Sequence, residues 1–97
     1  MNAEELLAAA REGRIPEGLA PALRALCLAE AGQWDAAHAA SQEGGDAAGA
    51  WVHACLHREE GDEGNARYWY ARARQKPATG PVSEERLAIA RALLGEG

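Results

Sequence analysis

A chain of 97 residues supports one domain with a modest core, and its net charge of −5 argues against general nucleic-acid binding, which needs a broad basic face. Alanine fills about a quarter of the positions, while Ile15, Val52, Thr79, Val82 and Ile89 are the only β-branched residues, a balance that excludes a sheet protein and predicts an all-α one. No apolar run is long enough to cross a bilayer, and Met-Asn-Ala-Glu-Glu-Leu-Leu at the amino terminus has neither a basic run nor a long apolar core, so the expected setting is the cytoplasm with no membrane contact.

Six helical segments follow in order. Asn2 and Glu5 have capping-box spacing for a first helix through about Glu12, which Gly13 is placed to end. Pro16 and Pro21 both suit a first-turn position, so a second helix begins near one of them and runs to Ala31, stopped by Gly32. A third covers about Gln33 to Gln42. The breaker Glu-Gly-Gly-Asp at 43–46 ends in Asp46, an N-cap for a fourth helix from about Ala47 to Glu60, which Gly61 ends. Asp62 caps a fifth, to about Lys76. After the linker Pro77-Ala-Thr-Gly-Pro81, Ser83 is the expected cap of a last helix, about 83–94, with Leu87, Ala90 and Leu94 on one face. Those apolar residues either cap the fold or form a homodimer contact.

Sliding the chain by 29 residues pairs Ala25 with Ala54, Glu30 with Glu59, Gly32 with Gly61 and Ala37 with Ala66. Each copy reads as helix, glycine turn, helix, with core hairpins at about 17–42 and 47–76. This resembles tetratricopeptide architecture, best in the second copy, where Gly61-Asp62 is followed by Ala66, Tyr70 and Ala73 and then Pro77. In the first copy Ser41 stands where the aromatic belongs. The expected fold is a single domain over 1–97, with antiparallel helical hairpins stacked as a short, right-handed, tetratricopeptide-like solenoid of about six helices.

The densest chemistry lies between Trp51 and Tyr70, which holds two of the three histidines and four of the five aromatic residues. Trp34, Asp35, Ala37 and His38, then Trp51, His53, Ala54, Leu56, His57, Arg58, Glu60, Gly61, Asp62, Asn65, Ala66, Tyr68, Trp69 and Tyr70, form an extended pattern. In it the chain resembles a group of small uncharacterised bacterial helical proteins carrying Trp-x-His-Ala-x-Leu-His-Arg-x-Glu-Gly-Asp-x-x-Asn-Ala-x-Tyr-Trp-Tyr. That resemblance implies a compact helical domain and points to a surface, without supplying an activity.

At about 100° per residue, Ala48, Val52, Cys55, Leu56 and Glu59 of the fourth helix share an apolar arc, and His53, His57 and Glu60 gather on another. Two imidazoles at i and i+4 can share a divalent metal, with Glu60 or His38 completing the set; the competing reading has them hydrogen-bonding neighbouring helices. On the fifth helix Ala66, Trp69, Tyr70 and Ala73 are assigned to the core, whereas Asn65, Tyr68 and Arg72 face the other way.

The binding surface expected from these patterns comprises Trp34, His38, His53, His57, Glu60, Asn65, Tyr68 and Arg72, with His53 and His57 as the metal candidates. No nucleophile, phosphate loop or strand supports an enzyme directly. The expected function is therefore a non-catalytic binding or adaptor module for a protein, a peptide or a small polar ligand, with no cofactor required beyond the divalent metal those histidines could hold. The alternatives are a small metal-dependent or histidine-based enzyme and, more weakly, single-stranded nucleic-acid binding through Tyr68, Arg67, Arg72 and Arg74. Cys27 and Cys55, both in apolar helical segments, are expected to be reduced and buried.

Overall fold

The computed structural model describes residues 1–96. Six helices follow one another: α1 (Ala3–Arg11), α2 (Pro21–Glu30), α3 (Trp34–Glu43), α4 (Ala47–Glu59), α5 (Glu63–Ala73) and α6 (Val82–Leu93). None of them is long and apolar enough to cross a membrane. Strands are absent among the described residues, as the shortage of β-branched side chains requires.

Local chemistry sets most of the boundaries. Asn2 and Glu5 form the expected capping box, the Asn2 side chain accepting from the Glu5 amide at 2.8 Å and the Asn2 amide donating back to Glu5 at 2.9 Å. Asp46 accepts from Gly49 N at 2.8 Å to start α4, and Asp62 accepts from Asn65 N at 3.2 Å to start α5. One open boundary is decided and two ends differ from expectation. Helix α2 begins at Pro21, whose missing N–H costs nothing at that position, and Pro16 lies outside the helices. Helix α5 stops at Ala73 because Arg74 adopts the left-handed conformation, φ 59°, three residues short of Lys76. Helix α6 starts at Val82 with Pro81 as its N-cap, so Ser83 is inside the first turn and does not cap.

Helices α2 with α3 and α4 with α5 form hairpins, and α4 packs on both members of the first. The positions aligned by the 29-residue offset take similar places. Gly32 and Gly61 turn their hairpins at φ +78° and +87°, a region a side chain would strain, and Ala25, Ala54, Ala37 and Ala66 are all buried where helices approach. Helix α1 lies against α2, and α6 covers α1, α2 and α4, so the first and last helices meet and close the fold.

The core runs through the middle of this arrangement, with Leu7, Leu26, Val52, Leu56 and Ile89 among its members. Ile89 and Ala90 of α6 are buried in it, while Leu94, expected on the same face, lies beyond the helix and is exposed. Helix α6 is also pinned by charge. Arg86 donates to Glu30 of α2 at 3.0 Å and to Glu59 of α4, so the two glutamates paired by the offset converge on one guanidinium. Glu85 is buried and accepts from Arg58 of α4 at 2.9 Å and from the Tyr70 hydroxyl of α5, tying three helices together. Cys27 and Cys55 are free and buried, as expected.

Candidate metal centre

The three histidines of the chain meet where α3 crosses α4. His53 and His57, one turn apart on α4, stack with ring centroids 4.8 Å apart and planes 19° from parallel. His38 comes across from α3, and its Nε2 lies 2.7 Å from His53 Nε2, while His57 Nε2 lies 3.1 Å from that same atom. The ligand nitrogens of all three lie within 4.8 Å of one another. Gly49 permits the approach: a Cβ there would come 2.5 Å from the backbone oxygen of Ser41, so only glycine lets the end of α3 sit this close to α4.

The hydrogen atoms available do not satisfy this cluster. His57 Nδ1 lies 2.8 Å from Glu60 Oε1, and a carboxylate accepts, so the Nδ1 proton is placed and a neutral His57 turns a lone pair toward His53. His53 Nε2 then has two imidazole nitrogens within hydrogen-bond distance and at most one proton to share between them. A proton on His38 Nε2 serves His53 but leaves the His53 and His57 nitrogens 3.1 Å apart across the stack with no proton between them. Adding a proton to the cluster meets a penalty: burial first, then the charges of His38 and His57, push the His53 pKa down to about 4.

A divalent cation removes the conflict, because three converging lone pairs are what it needs. With metal–nitrogen bonds of about 2.0–2.1 Å, tetrahedral ligands stand roughly 3.3 Å apart, close to the 3.1 Å between His53 and His57 and wider than the 2.7 Å between His38 and His53, which would have to open to admit the ion. The contact from His57 Nδ1 to Glu60 fixes the His57 tautomer in the way an outer-shell carboxylate does for a ligating histidine. Asp62, 4.0 Å from the same nitrogen, is committed elsewhere, accepting from Asn65 Nδ2 at 2.6 Å as well as capping α5. Thiolates play no part, since burial pushes the Cys27 thiol up to about 11 and raises that of Cys55 as well.

Aromatic side chains wall the cluster. Trp34 meets the His38 ring edge-on, with centroids 6.1 Å apart and planes at 85°. Trp69 of α5 lies flat on His53, with centroids 4.1 Å apart and planes 22° from parallel. A cavity of about 350 Å³ adjoins this stack, lined in part by Ser41, Gln42, Asp46, His53, Trp69 and Arg72.

The structure thus brings His38, His53, His57 and Glu60 into direct contact, sets Trp34 against His38 and places Arg72 on the cavity wall. Tyr68 and Asn65 stand apart from that cavity: Tyr68 is exposed and accepts from Arg72 at 3.2 Å, and Asn65 is occupied with Asp62. Trp69, assigned to the core by sequence, is partly buried: it packs against the Ala54, Ala66 and Tyr70 cluster and also stacks on His53 beside the cavity. The helical wheel held the signal, for Trp69 lies about 60° from Ala66 on the side toward Asn65 and Arg72, at the rim of the buried stripe. No family model, curated protein or solved structure matches the chain.

Proposed function

We propose that the protein is a small helical metal-binding module in which His38, His53 and His57 hold one divalent transition metal through Nε2, leaving a further coordination position for water or a small polar ligand. The observation that carries this reading is the clustering of His38 and His57 Nε2 around His53 Nε2, with protons for only part of their contacts. Three imidazoles suit zinc and its neighbours rather than magnesium or calcium, which prefer oxygen. Three protein ligands with one open position is also the arrangement of catalytic zinc, so the binding module and the metal-dependent enzyme share this centre and differ in what the open position does.

The finer features of the reading belong to the same proposal. The hairpins are tetratricopeptide-like repeats, supported by the matched turns at Gly32 and Gly61; the setting is cytoplasmic, in keeping with two buried thiols in separate clusters. The resemblance to small bacterial helical proteins extends across the metal residues, since His38, His53, His57 and Glu60 are all part of the shared pattern.

The test is titration of chelator-treated protein with Zn²⁺ by calorimetry and with Co²⁺ by visible absorption. One equivalent of metal should bind, with the intense Co²⁺ bands of a low-coordinate site and a raised unfolding midpoint. His38→Gln, on the less buried ligand, should abolish the bands while the far-ultraviolet dichroism stays helical. Absence of stoichiometric binding, or binding that survives both His38→Gln and His57→Gln, would overturn the proposal.

A further inference from the structure

The three histidines differ in what their other ring nitrogen does. His57 Nδ1 has Glu60. His53, only 3% exposed, has no hydrogen-bond partner for Nδ1 among the described residues, yet that atom is not sealed in the interior, where Arg86 Nε is the one enclosed polar side-chain atom without a partner. The space His53 borders is the cavity it shares with Trp69 and Arg72. Resting on the metal reading above, the tautomer follows: an imidazole that gives its Nε2 lone pair to a metal carries its proton on Nδ1, and a ligating histidine nearly always donates that proton to a carboxylate, a carbonyl or water.

Arg72 supplies the second half of the argument. It forms no ion pair among the described residues; its contacts are the Tyr68 hydroxyl, the Tyr68 ring at 5.8 Å and the Trp69 ring at 5.4 Å from the guanidinium carbon. Those aromatic contacts hold the guanidinium at the cavity wall while leaving it without an anion. Asp46 lines the same space with its Oδ1 committed to Gly49 N, and its negative charge works against a doubly charged guest.

We infer that this cavity is a subsite for the carboxylate of a small organic acid, which accepts from His53 Nδ1–H and pairs with Arg72. The carboxylate supplies the acceptor that His53 lacks and neutralises the free guanidinium, and its single charge is tolerated beside Asp46 where a phosphate dianion is not. About 350 Å³ accommodates a metabolite-sized molecule and no folded partner.

The test uses Co²⁺-loaded and Zn²⁺-loaded protein with acetate and inorganic phosphate as probes, and the Arg72→Gln variant, whose side chain lies outside the metal ligands. Acetate should saturably shift the His53 Nδ1–H resonance of the zinc form, phosphate should bind at least tenfold more weakly, and Arg72→Gln should weaken acetate at least tenfold while still taking one equivalent of metal. Metal binding without saturable acetate binding overturns the subsite and leaves the metal centre standing. So does acetate that perturbs the Co²⁺ bands with equal affinity in Arg72→Gln, since it then sits on the metal alone. Preference for phosphate overturns the assignment of a carboxylate, and failure to bind metal at all overturns the centre and the subsite together.

Discussion

The imidazole of His53 lies flat against the indole of Trp69, their centroids 4.1 Å apart and their planes 22° from parallel, so that a residue of α5 holds a candidate metal ligand of α4 in place. The stack fixes the His53 ring and shields one of its faces from water. Trp69→Ala should therefore do two separable things. Loss of a partly buried aromatic contact should destabilise the protein by about 1–3 kcal/mol in urea unfolding. Water reaching the ring should raise the His53 pKa from about 4 toward the ordinary histidine value, read from the imidazole proton resonances in chelator. An unchanged His53 titration would show that the indole contributes packing without shielding.

The depressed pKa has a direction in stability. In the unfolded chain His53 takes up a proton near its ordinary value of 6.5, whereas in the folded protein burial delays this until about 4. Above 6.5 neither state carries the proton, and the stability from this group is intact. As pH falls from 6.5 to 4 the unfolded state alone gains a proton, and stability declines by up to about 3 kcal/mol before levelling off. Denaturant unfolding of metal-free protein across this window should show that slope, and His53→Gln should flatten it. A slope that survives the substitution would assign the acid sensitivity to other groups.

Glu85 offers a test of the polar lock on α6. Its carboxylate is buried beneath Arg58 and the Tyr70 hydroxyl, and the Tyr70 phenol is pushed above its usual range by burial first and by Glu85 next. Tyr70→Phe removes one donor and keeps the ring, so it should cost about 1–3 kcal/mol. Glu85→Ala strands Arg58 and Tyr70 together and should cost more, roughly 3–5 kcal/mol, in the same unfolding assay. Wild-type protein taken to alkaline pH should show no Tyr70 ionisation before it unfolds.

How much of this was legible in the chain depended on the range of the interaction. Asn2 with Glu5, Asp46 with Gly49 and Asp62 with Asn65 are contacts across three residues, and three of the helix starts follow from them, as the all-α class follows from the abundance of alanine and the few β-branched residues. Pairing His53 with His57 needed only the helical period. His38 could be named as a partner, but its arrival 2.7 Å from His53 depends on how closely two helices pack, which no local pattern encodes. The convergence of Glu30 and Glu59 on Arg86 spans most of the chain and had no local signal. Trp69 packs on the Ala54, Ala66 and Tyr70 cluster as its place on the apolar stripe predicts, while its second contact, the His53 imidazole, is supplied by the neighbouring helix.

Gly49 connects these scales, because it sets the spacing of α3 and α4 and hence the distance from His38 to His53. A methyl group added there would lie 2.5 Å from Ser41 O, a backbone atom at the end of α3, so the helix itself must give way. Alanine favours the helix intrinsically over glycine by about 1 kcal/mol, which opposes the clash and makes the net stability change small to moderately unfavourable, about 0–2 kcal/mol. Metal affinity has no such compensation. Moving α3 outward draws His38 Nε2 away from the other two nitrogens, leaving a two-histidine site. Gly49→Ala should thus lose Zn²⁺ affinity by more than tenfold while remaining folded, a separation of stability from binding that calorimetry on the variant can read directly. Undiminished affinity would mean that the helices reach the metal-binding spacing without this close approach, and that the ligand set does not depend on the approach Gly49 permits.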